Sequence, residues 1–185
     1  VYNHTAEQDG QGPMLCQRGI DNTLWYWLNG DGYYENWSGC GNTLNIVRRD
    51  VTRWAADSLR YWVEEFHVDG FRFDLGTVLG REPDFQAYGR FFQVVYQDPV
   101  LASRKLIVEA WDIGEGGYHL GNFPQPFAEW NGRFRDDMRA FWVWESGSLG
   151  AFAERLAGSS DIFCHSGRRP SASINFITAH DGFTL

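Results

Sequence analysis

Helical and extended apolar spacings alternate along this chain, and the clearest switch lies at Gly70. Over residues 48 to 66, Val51, Ala55, Leu59, Trp62, Val63 and Phe66 recur at three and four, the stripe of an amphipathic helix. Gly70-Phe71-Arg72-Phe73-Asp74-Leu75 follows at once with strict alternation. Phe71, Phe73 and Leu75 share one face of an extended strand, and Arg72 and Asp74 share the other. A guanidinium two residues from a carboxylate keeps it ionised and fixes its direction. That pair serves equally as a structural ion pair or as an aimed nucleophile.

The same alternation continues. A second helix is expected from about Asp84 to Tyr96, with Phe85, Tyr88, Phe92 and Val95 turned inward. Lys105 to Trp111 reads as a strand apolar on both faces, as in a parallel sheet. Phe127 to Trp130 reads as a short strand, 136–145 and 148–156 as helices, 158–171 as loop and Ser173 to Ala179 as the last strand. Val1 to His4 reads as the tail of a strand, and residues 6 to 46 have no sustained period. The six aromatic residues Trp25, Tyr26, Trp27, Tyr33, Tyr34 and Trp37 make that long segment a folded excursion with a binding role. Strands alternating with helices predict an α/β fold of parallel strands and right-handed crossovers. A (β/α)8 TIM barrel gathers polar strand ends at one face. A doubly wound sheet competes, but it seats a nucleotide on a Gly-rich first turn, and Gly114-Glu115-Gly116-Gly117 has no phosphate-loop spacing.

Composition narrows the class. With 185 residues, 43% hydrophobic and 22% charged, the chain can build a real core. A net charge of −8 argues against a nucleic-acid partner, and no apolar run is long enough for a membrane span. Cys16, Cys40 and Cys164 are spaced for neither a disulfide framework nor a zinc site, which points to reduced thiols in the cytoplasm. Asn3-His4-Thr5 and Asn36-Trp37-Ser38 match the glycosylation sequon without other signs of secretion. No cofactor and no metal cluster is expected. The open first residue, Val1, reads as the interior of a longer protein.

Every expected strand ends in polar groups: Asn3 and His4, Arg72 and Asp74, Glu109, then His180 and Asp181. If the strands ending in Asp74 and Glu109 are neighbours, their backbones lie about 4.8 Å apart. Carboxyl groups roughly 5 to 5.5 Å apart suit a retaining glycosidase, with one group as nucleophile and the other as acid and then base. Arg72 keeps Asp74 charged. Glu109 stands between Val108 and Ala110, and apolar surroundings raise a carboxyl pKa. Asp181 is a third carboxylate, read as holding sugar hydroxyls as the transition state forms, and His4 and His180 are read as donors to the same sugar.

Val1-Tyr2-Asn3-His4, Gly70 to Asp74, Val108-Glu109-Ala110-Trp111-Asp112 and Thr178-Ala179-His180-Asp181 resemble, in order, the four motif regions of the α-amylase superfamily, glycoside hydrolase family 13. Within it the sequence is most similar to isoamylase-type debranching enzymes. Arg18-Gly19-Ile20-Asp21-Asn22, Ser38 to Thr43, Glu65 to Gly70, Gly117-Tyr118, Ala128 to Gly132 and His180 to Thr184 carry that likeness. The resemblance implies strands three to seven of a (β/α)8 barrel, a partial catalytic domain covering residues 1–185. It implies Asp74 as nucleophile, Glu109 as general acid/base and Asp181 as transition-state stabiliser, with Arg72, His4 and His180 contacting the sugar. It further implies hydrolysis of α-1,6 branch linkages in glycogen or amylopectin. An α-1,4-acting amylase, a transglycosylase and a silent glucan-binding subunit remain open. Superfamily members bind calcium, but no residues here can be assigned to it. Ala110 stands where debranching relatives carry proline. The isolated piece, with its strand edges bare, is expected to be inactive or poorly folded.

Overall fold

A computed structural model of the chain describes residues 1–182, so Phe183 and Thr184 of the last motif lie outside the described residues. The chain forms two compact units, Val1–His119 and Leu120–Leu185.

In the first unit, helix α1 (Arg18–Trp25) lies in the 6–46 segment, which shows no sustained period in the sequence. It kinks at Asp21, where φ is −160°. The Asp21 carboxylate accepts from the Leu24 amide at 3.0 Å and so caps the turn after the kink. Around it the excursion closes on Glu7. This buried carboxylate accepts from the amides of Leu15 and Cys16 at 2.9 Å, from that of Arg18 at 3.1 Å and from the Tyr26 hydroxyl. Burial pushes the Glu7 carboxyl up, but these donors outweigh it and bring it down to about 2. Helix α2 (Arg49–Phe66) buries Val51, Ala55, Leu59 and Val63 as the stripe requires. Trp62 and Phe66 correct that stripe. Both are exposed, with ring centroids 4.7 Å apart. His67 ends the helix in the left-handed region, at φ 55°.

Strand β1 (Gly70–Phe73) pairs in parallel with β2 (Lys105–Glu109), with Phe73 opposite Val108. Both strands are shorter than expected. Leu75 turns to φ 41°, out of the strand region, so the alternation of β1 ends at Phe73. A side chain at Gly70 would strike the Lys105 carbonyl, which is why the first pair of the ladder needs glycine. Helix α3 (Arg90–Gln97) starts six residues later than expected, and Tyr88 is exposed rather than inward. The intervening chain folds back instead: Gln86 donates to the Gly80 carbonyl at 2.8 Å, and the Glu82 carboxylate accepts from the Arg90 amide at 2.8 Å at the helix start. Phe91, Phe92 and Val95 of α3 then pack with Phe73, Leu106 and Val108 in the buried core, where Phe73 meets Phe91 edge to face at 5.5 Å. Val1 to His4 forms no strand among the described residues.

In the second unit, β3 (Ala128–Asn131) pairs in parallel with β4 (Ser173–Asn175), Trp130 opposite Ile174. The last strand is shorter than the expected run to Ala179. Beyond it, the Ile177 carbonyl accepts from Arg139 Nε at 2.9 Å rather than from a neighbouring strand. Asn131 ends β3 and caps α4 (Gly132–Trp142), accepting from the Phe134 amide at 2.9 Å. Helix α5 (Leu149–Leu156) is capped by Ser148, and Phe141 of α4 stacks on Phe152 of α5 at 4.4 Å. The segment expected to be loop holds a short helix, α6 (Ser160–Phe163), whose Ile162 and Phe163 are buried. Glu129 of β3 forms a sealed ion pair with Arg168, with side chains 0% and 2% exposed. In each unit the α/β class with parallel strands is the one expected from the sequence.

Candidate active site

The parallel register carries Asp74 and Glu109 to the ends of adjacent strands, one step past the Phe73–Val108 pair. Arg72 joins them. Its Nη1 lies 3.3 Å from Asp74 Oδ1 and its Nη2 pairs with Glu109 Oε1. The sequence assigned Arg72 to Asp74 alone. The structure shares it, because a planar guanidinium presents several donors in a fixed fork. Exposure separates the two acids: 18% for the Asp74 side chain and 3% for that of Glu109.

Glu109 has the environment its sequence neighbours predicted. Burial pushes its carboxyl above the usual range, and the Asp74 charge adds to this; the Leu75 amide, donating to Oε2 at 2.9 Å, and Arg72 pull the other way. The turn after β1 also grips the backbone of Glu109. Gly76 donates to its carbonyl at 2.8 Å, and a side chain at Gly76 would lie 2.9 Å from that oxygen.

Asn3 completes the setting of Asp74. Its amide donates to the Asp74 carbonyl at 2.6 Å and to Oδ2 at 3.0 Å, and it is fully buried. Sequence reading noted Asn3 as a strand-end polar group and gave it no role. His4 Nδ1 is bonded to Asn3 Oδ1, so the ring is held through the residue that holds Asp74. Burial lowers the His4 pKa, against the pull of the Asp74 charge. His4, Arg72, Asp74 and Glu109 thus form one set in the first unit. His180 and Asp181 lie in the second unit and are exposed, with the His180 ring 6.2 Å from that of Trp130.

A half-open carboxylate beside a buried carboxyl of raised pKa, bridged by arginine, is the equipment of acid–base and nucleophilic chemistry on a neutral substrate. No protein-family model matches the chain. Solved structures supply the class. The chain is similar to a pullulanase from Bacillus acidopullulyticus, with a TM-score of 0.74 and 25% identity over 98% of this chain and 23% of that one. It is also similar to a pullulanase from Anoxybacillus sp. LM18-11 complexed with maltotetraose, with a TM-score of 0.64 and 26% identity over 85% of this chain and 24% of that one. Among sequences, it is 57% identical over all 185 residues to a glycogen debranching enzyme from Erwinia tasmaniensis. The chain spans 28% of the length of that relative. Over this span the chain is similar to glycogen debranching enzymes in sequence and to pullulanases in fold.

Proposed function

We propose that the protein carrying this segment is a retaining hydrolase of α-1,6 branch linkages in glycogen- or amylopectin-type glucans. The carrying observation is the asymmetric pair: Asp74 partly open, Glu109 buried with its carboxyl pushed up, and Arg72 between them. Asp74 attacks the anomeric carbon while Glu109 protonates the leaving glycosidic oxygen. Glu109 then takes a proton from water, whose oxygen displaces Asp74 and releases the sugar with its configuration retained. Arg72 stays charged through both steps and steadies whichever carboxylate is ionised. His4 contacts the same sugar. From the resemblance, His180 is a second sugar contact and Asp181 the group that binds sugar hydroxyls as the oxocarbenium-like state forms.

The choice of α-1,6 bonds rests on the likeness to named debranching enzymes and pullulanases, and a maltotetraose complex of one of those pullulanases supports an α-glucan as substrate. In this reading residues 1–185 are part of a (β/α)8 catalytic domain, strands three to seven. Three exposed, unpaired thiols among the described residues fit the reducing cytoplasm.

The test is Asp74→Asn in the full-length protein, assayed on glycogen. Unmodified protein should release linear chains and deepen iodine colour. The variant should lose on the order of 10³-fold or more in kcat. Retained hydrolysis would remove Asp74 as the nucleophile, and shortened chains in place of released ones would mark an α-1,4-acting enzyme. Glucan binding with no turnover by the unmodified protein would mark a silent subunit.

A further inference from the structure

The segments that follow Asp74 and Glu109 meet again some distance past the strand ends, through the stacked rings of Phe85 and His119, 4.1 Å apart, and through a sealed ion pair. Arg81 follows the 3-10 turn Val78–Gly80 on the β1 side, and Asp112 lies beyond Glu109 on the β2 side. Arg81 Nε donates to Asp112 Oδ2 at 2.7 Å and Nη2 donates to Oδ1 at 2.8 Å, a two-pronged bond. The side chains are 6% and 0% exposed. Arg81 Nη2 also reaches the Glu115 carbonyl at 3.0 Å, and the Trp37 ring covers the guanidinium at 4.8 Å.

Asp112 in turn folds its own loop. Its Oδ1 accepts from the Gly114 amide at 2.9 Å, its amide donates to the Gly117 carbonyl at 3.0 Å, and the His119 amide returns to Ala110 at 2.8 Å. A side chain at Gly114 would lie 2.6 Å from Arg81 Nη2 and 2.7 Å from Trp37, so the loop closes only over glycine. The chain from Ala110 to His119 is therefore a closed loop bolted to the segment after Asp74. Glu109 is the last strand residue before that loop.

A sealed ion pair is weak support for stability, since an apolar pair of the same shape often does as well. What a two-pronged pair supplies is direction. Proton transfer to a leaving oxygen needs the donor within hydrogen-bond reach, and a misplacement of about 1 Å costs on the order of 10²-fold in rate. We infer that Arg81 and Asp112 are positioning residues for Glu109: their bond holds the 110–119 loop against the segment following β1, which keeps the Glu109 carboxyl buried between Arg72 and the Leu75 amide. This rests on the reading of Glu109 as acid and base.

The experiment uses Asp112→Asn and Arg81→Lys in the full-length protein, on two substrates that differ in need for an acid. A branched glucan leaves through a poor alkoxide and needs Glu109. In α-maltosyl fluoride the C–F bond breaks as the Asp74 carboxylate bonds to carbon, and fluoride departs with little proton assistance. The expected result is a kcat on the branched glucan lower by about ten- to a hundredfold, with KM within about twofold. The glycosylation rate on the fluoride should fall by less than about threefold. Equal losses on both substrates, or no loss on either, would overturn the inference. Circular dichroism melting checks folding; if Asp112→Asn does not fold, Arg81→Lys, which keeps the charge and removes the fork, decides alone. An unmodified protein that hydrolyses neither substrate would sink the parent reading, a result distinct from any difference between variants.

Discussion

Two Arg–Glu pairs sit at parallel strands of this molecule, one in each unit, and they differ in what they leave open. Arg168–Glu129 is closed on all sides. Glu129 Oε2 accepts from the Gly121 amide at 2.6 Å, and Arg168 spends its donors on Glu129 and on the carbonyls of Phe123 and Phe127. Arg72–Glu109 has a sealed glutamate, but the arginine is 30% exposed and shared with the more open Asp74. Burial pushes both glutamates up. Under the proposed reading of Glu109 as acid and base, a raised carboxyl pKa does not separate a working carboxyl from a staple. The open side does, because a substrate has to reach it.

The comparison breaks most sharply on activity. Glu109→Gln in the full-length protein should cut kcat on glycogen by about 10²- to 10⁴-fold, and Glu129→Gln should leave kcat per folded molecule unchanged. Reducing-end release under saturating substrate measures both.

Stability should sort them the other way. Glu129→Leu removes the carboxylate oxygens that face the Arg168 charge and the Gly121 amide in a sealed site, and should cost about 3 to 5 kcal/mol, read as a drop in the urea midpoint. Glu109→Gln should cost less, because Arg72 keeps Asp74 and solvent as partners. Replacing both members of the sealed pair, Arg168→Met with Glu129→Leu, should recover most of the loss of either single change. A double variant as weak as the singles would show that the carbonyl contacts of Arg168 matter more than its charge partner.

The smallest effects are in pH dependence, and their signs differ by site. Glu109 and Glu129 hold protons more tightly folded than unfolded. Their contribution is present in full below the ordinary carboxyl range and is lost as pH rises through their folded values. Glu7 is the reverse, with its pKa brought down from 4.5 to about 2. Its contribution is present above about pH 4.5 and is lost as pH falls toward 2. Glu7→Gln should flatten the acid side of the stability–pH curve, and Glu129→Gln the opposite side. Chemical denaturation at stepped pH reads both slopes.

Legibility in the sequence followed range. Helix α2 was readable because its stripe is local, Asp74 because it ends a strict alternation and Glu109 because it ends a short apolar run. Even so, the stripe overreached at Trp62 and Phe66, where periodicity marks a face but not what covers it. The late start of α3 was not readable, because Gln86 bonds to Gly80 and Glu82 caps Arg90 through a backbone that doubles back. Arg81 and Asp112 were invisible as partners, 31 residues apart with no shared period, although Asp112 closes the Val108 to Asp112 motif. Glu7 was equally hidden, since three of its donors are backbone amides that no side-chain pattern announces.

The order of residues alone determined the alternation of strand and helix, the parallel class and the placing of an acid at two successive strand ends, since these depend on spacing along the chain. Only the folded chain decided which acid is sealed, that one guanidinium serves both, and that Asn3 grips Asp74. Charge states depend on what water is excluded and which distant donors arrive, and both are properties of packing in three dimensions.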